Sequence, residues 1–297
     1  MSAASRRDFL RQCLTAGAAA ALAGSLAERP APAGEAKRKI RLGLCTYLWG
    51  QDWDLPTLLA NCEKAGVLGV ELRTQHKHGV EPNLRPQQRR EAKQRFAHSP
   101  VTLVGLGTNE CFDSPDPLRV QWSIDAAKAF VRLSHDLGGS GVKVKPNDFH
   151  RDVPHEKTIE QIGRALNVLG RFAADFGQQI RLEVHGSCCE LPTIRQIMDV
   201  ADHPNVGVCW NCNNQDLMGR GLAYNFNLVK KRLGATTHVR ELDSSNYPYR
   251  QLLELLVRAG YAGWLLLECS SKPKDPVAAM AAQQALFESM LAAARKA

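Results

Sequence analysis

The chain has 297 residues, 44% hydrophobic and 23% charged, which is globular composition and excludes disordered, collagen-like and fibrous classes. Its formal charge is +8. Arg6, Arg7, Arg11 and Arg29 against Asp8 and Glu28 place +2 of it in the first 34 residues, and the rest is spread without a basic block. Diffuse positive charge mildly favours anionic ligands and lacks the clustered basic footprint of a nucleic-acid binder. The nine cysteines are an odd number in a chain long enough to bury its own core, so no disulfide framework is expected. Cys45, Cys209 and Cys269 sit in apolar runs and read as small buried hydrophobes.

The N-terminus reads Ser5-Arg6-Arg7-Asp8-Phe9-Leu10, followed by an alanine- and glycine-rich apolar run from Cys13 to Ala23. Paired arginines ahead of such a run predict a twin-arginine export signal over residues 1–34. Ser25-Leu26-Ala27 or Ala31-Pro32-Ala33 offers the small-residue cleavage site, and Pro30, Pro32 and Gly34 form a linker. The run is too short for a spanning helix. The expectation is therefore a periplasmic or other extracytoplasmic protein with no stable membrane anchor after cleavage.

Residues 35–297 alternate short β-rich runs with longer amphipathic ones. Strands are predicted at Ile40–Cys45, Gly69–Leu72, Val101–Gly107, Gly141–Lys145, Ile180–Val184, Val206–Trp210, Thr236–Leu242 and Trp264–Glu268. They are short and apolar, as parallel strands buried on both faces are. Helices are predicted near 55–66, 86–98, 116–137, 155–176, 192–202, 222–233, 248–260 and 275–296. Asp54 and Pro56 start the first as cap and first-turn proline. Eight β-then-α units over this length predict an α/β fold, a single (β/α)8 TIM barrel. The rival open sheet would want a glycine-rich turn after its first strand; Thr46-Tyr47-Leu48-Trp49-Gly50 stands there instead.

Barrel strands deliver their C-terminal residues to the active site. The fifth ends Glu183-Val184-His185, the sixth Trp210-Asn211-Cys212-Asn213-Asn214, the seventh His238-Val239-Arg240 and the eighth Glu268. Glu183 and His185, two apart, share a strand face. Oxygen and imidazole donors together suit one divalent ion such as Mn²⁺, Mg²⁺, Co²⁺ or Zn²⁺. Taken singly, Glu183 also fits a salt-bridged barrel residue and His238 a hydrogen-bonded core histidine. Two inward carboxylates, Glu183 and Glu268, are costly unless paired or metal-bound. Cys209-x-x-Cys212 has no partner pair and is not read as a zinc or redox site. Other strand ends also offer pocket residues: Glu71 and Arg73 on the second, Asn109 and Glu110 on the third, Lys143 and Lys145 on the fourth. Lys145 either holds a substrate hydroxyl, carboxylate or phosphate, or pairs with Glu71 or Glu183. Trp49, with Tyr47 and Trp53, offers an aromatic face for a sugar ring or simple packing.

The order of these ends and the phrases LEVHG, VGVCWN, THVREL and WLLLEC over residues 40–290 resemble the xylose isomerase-like sugar isomerase/epimerase superfamily. The resemblance implies one metal held by Glu183, Asn211, His238 and Glu268, with the two glutamates as the proton-transferring pair. His185, Lys145, Arg240, Asn214, Glu71, Asn109 and Trp49 would then contact a small-molecule sugar. Asn211 stands where the family usually has aspartate, Asn214 where it often has histidine, Arg240 where lysine is common, and Ser244 where ketose epimerases carry arginine. The expected chemistry is proton transfer next to a carbonyl in an isomerase, epimerase or related lyase or dehydratase. The competing expectation, carried by Asn211, is a non-catalytic carbohydrate-binding barrel with a decayed metal site. An endonuclease of the same fold would need more histidines at strand ends, so no nucleic-acid partner is expected; a homo-oligomer is compatible with the reading.

Overall fold

The structure, a computed structural model, describes residues 39–297. The twin-arginine segment, residues 1–34, lies outside them. Eight strands close into a parallel barrel in chain order. They are β1 (Arg41–Cys45), β2 (Gly69–Arg73), β3 (Thr102–Cys111), β4 (Gly141–Lys145), β5 (Gln179–Glu183), β6 (Val206–Asn211), β7 (Leu233–Val239) and β8 (Trp264–Leu267). The ring closes where Leu42 of β1 stands beside Leu265 of β8.

Eight α-helices follow the strands among the described residues: α1 (Leu55–Ala65), α2 (Pro86–Ala97), α3 (Pro117–Leu137), α4 (His155–Ala174), α5 (Leu191–Val200), α6 (Leu222–Val229), α7 (Tyr249–Arg258) and α8 (Pro276–Ala294). Local chemistry sets their ends. In α1 the Asp54 carboxylate accepts from the Thr57 amide at 2.9 Å and Pro56 sits in the first turn. Gly66, at φ 71°, stops the helix and returns its N–H to the carbonyls of Cys62 and Glu63. Asp116 with Pro117 and Asp275 with Pro276 repeat the start signal. Leu55, Leu58, Leu59 and Cys62 form the buried stripe of α1, one contribution to the apolar layer between helices and barrel.

Inside the ring the packing is different. A small separate apolar cluster, Cys45, Val104, Trp264 and Leu266, is joined by buried polar and charged groups. Arg181 fills the interior behind the strand ends. Its guanidinium donates to the Val104 carbonyl at 3.3 Å, Ser140 Oγ at 2.6 Å and Gln179 Oε1 at 3.1 Å. Gly105 and Gly141 make room for it: a Cβ on either would come within 3.0 Å of that guanidinium. Alternation along β2, β4, β5, β6 and β7 then brings Glu71, Lys143, Glu183, Asn211 and His238 to one level at the C-terminal end.

Two predicted strands move by more than one residue at an end. The seventh begins at Leu233 and ends at Val239, three residues ahead of expectation, because Gly234 packs its backbone directly against Gly207 of β6. The third runs on to Cys111 past an irregularity in its pairing with β4 between Gly107 and Cys111, which the polar run Thr108-Asn109-Glu110 did not suggest.

Candidate active site

At the C-terminal mouth of the barrel lies a cleft of about 350 Å³ with Glu183, Asn211 and Glu268 in its wall, together with Lys143, Lys145 and His185. Its centre is a network of charges. Lys143, buried on β4, places Nζ 2.7 Å from Glu183 Oε2 and donates to the Thr108 carbonyl at 3.2 Å. The Asn211 amide donates to Glu183 Oε1 at 2.8 Å. His238 is fully buried and stands between three carboxylates. Its Nε2 lies 3.0 Å from Glu71 Oε1, and its Nδ1 lies 3.3 Å from Glu183 Oε1 and 3.5 Å from Glu268 Oε2.

Electrostatics follow from this packing. Burial works against a charged Glu183, yet the Lys143 ammonium and His238 hold its carboxyl well below the usual carboxylate range. Burial likewise opposes the Lys143 ammonium, and Glu183, Glu71 and Glu268 more than compensate, raising its pKa above the ordinary lysine value. His238 is raised well above the usual histidine range against its own burial; Cys209, Glu268, Cys45 and Glu71 surround it. Burial pushes the Cys45 thiol well up, so the carboxylates rather than thiolates carry the negative charge here. The two catalytic candidates are unequal. Glu183 is 2% exposed with both oxygens engaged, whereas Glu268 is 16% exposed and has only the long His238 contact.

The donors fit a divalent ion on one side of the network. Glu71 accepts from His238 Nε2, an orientation that leaves Nδ1 as the coordinating nitrogen, as carboxylate-backed histidine ligands do. Ligand atoms of Cys45, His238 and Glu268 all lie within 4.8 Å of one another. Two ligands of one ion stand about 3 to 3.5 Å apart, the separation His238 Nδ1 keeps from Glu183 and Glu268. On the other side, Glu183 already holds an ammonium and an amide N–H.

Several expectations change in detail. Asn211 turns its N–H, not its oxygen, to Glu183. Glu71 is a buried partner of His238 and not a cleft residue. The lysine paired with Glu183 is Lys143, while Lys145 points its Nζ to Asn109 Oδ1 at 3.3 Å. Asn109 lies outside the cleft wall and holds both Lys145 and Arg73. Trp49 is 2% exposed and donates its indole N–H to the Ser271 carbonyl; the chain turns back between Tyr47 and Gly50, so Tyr47 takes the cleft position. Asn214 is exposed and lines an adjoining cavity, whereas Asn213 lines both. His185 and Arg240 do line the cleft; burial lowers the His185 pKa, and its Nδ1 is buried without a partner. Arg73, offered with Glu71 by the second strand, does line the cleft. Cys45 was missed, since it could be placed only once the register to Glu71 was known.

No curated protein matches the sequence. Among solved structures the chain is similar to an L-ribulose 3-epimerase, with TM-score 0.74 and 16% identity over 87% of this chain and 96% of the other. It is similar to D-psicose 3-epimerase from Clostridium cellulolyticum H10, solved with D-tagatose, at TM-score 0.72 and 15% identity over 85% and 99%. A xylose isomerase-like TIM barrel protein from Mycobacterium smegmatis in complex with magnesium gives TM-score 0.66 and 14% identity over 86% and 98%. At such identities what is shared is the fold. The family model for the xylose isomerase-like TIM barrel matches residues 59–290, nearly the whole barrel, and the chain belongs to that family.

Proposed function

We propose that this barrel is a sugar isomerase or epimerase, or a related enediolate lyase or dehydratase, that moves a proton next to a carbonyl. The observation that carries the reading is the convergence of Glu183 and Glu268 on one cleft, with His238 Nδ1 within 3.5 Å of both. Glu268 is the less encumbered carboxylate and suits taking the proton from carbon. For isomerisation it returns that proton to the neighbouring carbon; for epimerisation a proton comes back from the Glu183 and His238 side. Lys143, held at the cleft wall by Glu183 and Thr108, keeps positive charge beside the oxygen on which the enediolate charge develops. A divalent ion held by His238 and Glu268, with Glu183 and Asn211 beside them, would supply Lewis-acid stabilisation of the same charge. The epimerases among the similar structures support a sugar as substrate.

The test is exchange of substrate carbon-bound hydrogen with solvent in D₂O, followed by NMR, over a panel of ketoses and aldoses supplied with Mn²⁺ or Mg²⁺. We expect deuterium at the carbon next to the carbonyl, and a loss of at least about 100-fold in Glu268→Gln and Glu183→Gln. A second reading, a binding barrel without turnover, is favoured by the amide of Asn211 and the ammonium of Lys143 already satisfying Glu183. Sugar binding with no exchange by the wild type would replace the enzymatic reading with it.

We also propose that residues 1–34 export the barrel, residues 35–297, by the twin-arginine route. Arg6→Lys with Arg7→Lys should hold the precursor in the cytoplasm; normal export of the double variant would remove the proposal.

A further inference from the structure

The cleft wall holds four cations, Arg73, Lys143, Lys145 and Arg240, against two carboxylates, Glu183 and Glu268. Only Lys143 is paired with one of them. Among the described residues, no carboxylate oxygen lies within 4.0 Å of Arg73, Lys145 or Arg240. Arg73 and Lys145 are both half-buried, and both lean on one neutral acceptor: Asn109 Oδ1 lies 3.4 Å from Arg73 Nη2 and 3.3 Å from Lys145 Nζ. Arg73 is further fixed by stacking over the Tyr47 ring at 4.9 Å. Glu110, the acidic side chain next along β3, lies near enough to Lys145 to feel its charge but forms no ion pair within 4.0 Å with either cation. Burial first and then the Lys143 ammonium lower the Lys145 pKa; the Glu183 carboxylate acts the other way, and the Arg73 guanidinium adds to the lowering. Two half-buried like charges brought to one neutral oxygen repel each other, and proteins keep such pairs where an anion arrives to separate them.

Position adds to the argument. Arg73 and Lys145 each stand two residues beyond Glu71 and Lys143 on the same strand faces, about 6 to 7 Å further along their strands towards the mouth. A molecule with its carbonyl between Glu183 and Glu268 would place its far end beside them. A planar guanidinium next to an ammonium matches an oxyanion with two or three acceptor oxygens.

We propose that Arg73 and Lys145 form an anion subsite, and that the sugar taken by this cleft carries a carboxylate or phosphate at the end remote from its carbonyl. The proposal deepens the isomerase or epimerase reading and rests on it for the orientation of the sugar, but the subsite is testable by binding alone. Calorimetry at fixed ionic strength and pH would compare a neutral hexose, the corresponding hexuronate, the corresponding hexose 6-phosphate and inorganic phosphate. The charged sugars should bind at least tenfold more tightly than the neutral one, and the tighter of the two identifies the anion as carboxylate or phosphate. Arg73→Gln and Lys145→Gln should each erase most of that preference, and Lys145→Arg should restore part of it, with thermal melting to show that each variant is folded. If variants melt early, the preference of the wild-type protein among the ligands decides. Equal affinity for neutral and charged sugars, no binding of either charged sugar, or folded glutamine variants with undiminished preference would overturn the proposal. Turnover of neutral ketoses without preference for charged ones would sink the subsite and leave the proposed reaction standing. Selective anion binding that depends on Arg73 and Lys145, with no exchange on any sugar, would do the reverse.

Discussion

At the scale of single residues, the question is how Lys143 and Asn211 divide Glu183 between them. Family resemblance led to a quartet of ligands around one ion, but in this chain the Glu183 oxygens meet an ammonium at 2.7 Å and an amide N–H at 2.8 Å. An ion drawing on Glu183 competes with a built-in positive charge, and near a divalent ion one unit charge is a large contribution even after solvent screening. Two substitutions therefore act in the same direction. Asn211→Asp adds a negative charge, and Lys143→Met removes a positive one while keeping a chain of similar length in a buried slot. Each should tighten Mn²⁺ binding about tenfold or more in calorimetry at fixed pH, read without any substrate. Lys143→Met also leaves Glu183 buried beside His238 without its ammonium, so its folded fraction must be checked by melting. Unchanged affinity in both folded variants would mean that the ion rests on His238 and Glu268 without Glu183 or Asn211.

At the scale of elements, the sequence was legible wherever a pattern is local. Hydrophobic runs located all eight strands, with β4 matched end to end. Caps such as Asp54, Asp116 and Asp275 marked helix starts because a carboxylate and a following proline solve the same local problem each time. Strand ends pointed to Glu183, His185, His238, Arg240 and Glu268, which the barrel gathers around one mouth and the cleft behind it. What was not legible depends on register between strands. That Lys143 rather than Lys145 reaches Glu183 follows from the alignment of β4 with β5, where Lys143 stands beside Arg181 and Val144 beside Leu182. That Glu71 backs His238 involves side chains 167 positions apart. Trp49 was offered only as one of three aromatics following β1, with packing as the alternative, and sequence position alone does not say which of them faces the cleft once the chain turns between Tyr47 and Gly50. Asn214 came from the family resemblance, as the residue three beyond Asn211, and it lines the adjoining cavity while Asn213 lines both.

At the scale of the whole molecule, the site is embedded in a barrel whose stability is itself coupled to protons, and one group away from the ligand cluster exposes this. Asp216, in the turn after β6, is wholly buried. Its Oδ2 accepts from the Asn213 amide at 3.0 Å and the Tyr247 hydroxyl at 2.7 Å, while Oδ1 has no partner. Burial pushes its pKa up to about 7, with those two donors acting the other way. In the unfolded chain the same carboxyl ionises near about 3.9. Between those values the folded protein binds more protons than the unfolded one, so this group makes stability fall as pH rises from about 4 to about 7 and adds no slope above that. The loss between pH 5 and pH 8 is on the order of 2 kcal/mol. Glu183, whose pKa is lowered, acts with the opposite sign: its contribution is present above about 4.5 and is lost as pH falls below that. Asp216→Asn separates the two. The amide oxygen can accept both existing hydrogen bonds, while its NH₂ enters the position where Oδ1 lacked a partner, a cost that does not depend on pH. Urea unfolding should therefore find Asp216→Asn at its greatest disadvantage near pH 5 and the gap closing, by on the order of 2 kcal/mol, by pH 8. A gap that stays constant across this range would show that Asp216 is ionised in the folded barrel throughout, and that the polar turn under the second cavity solvates it better than its burial implies.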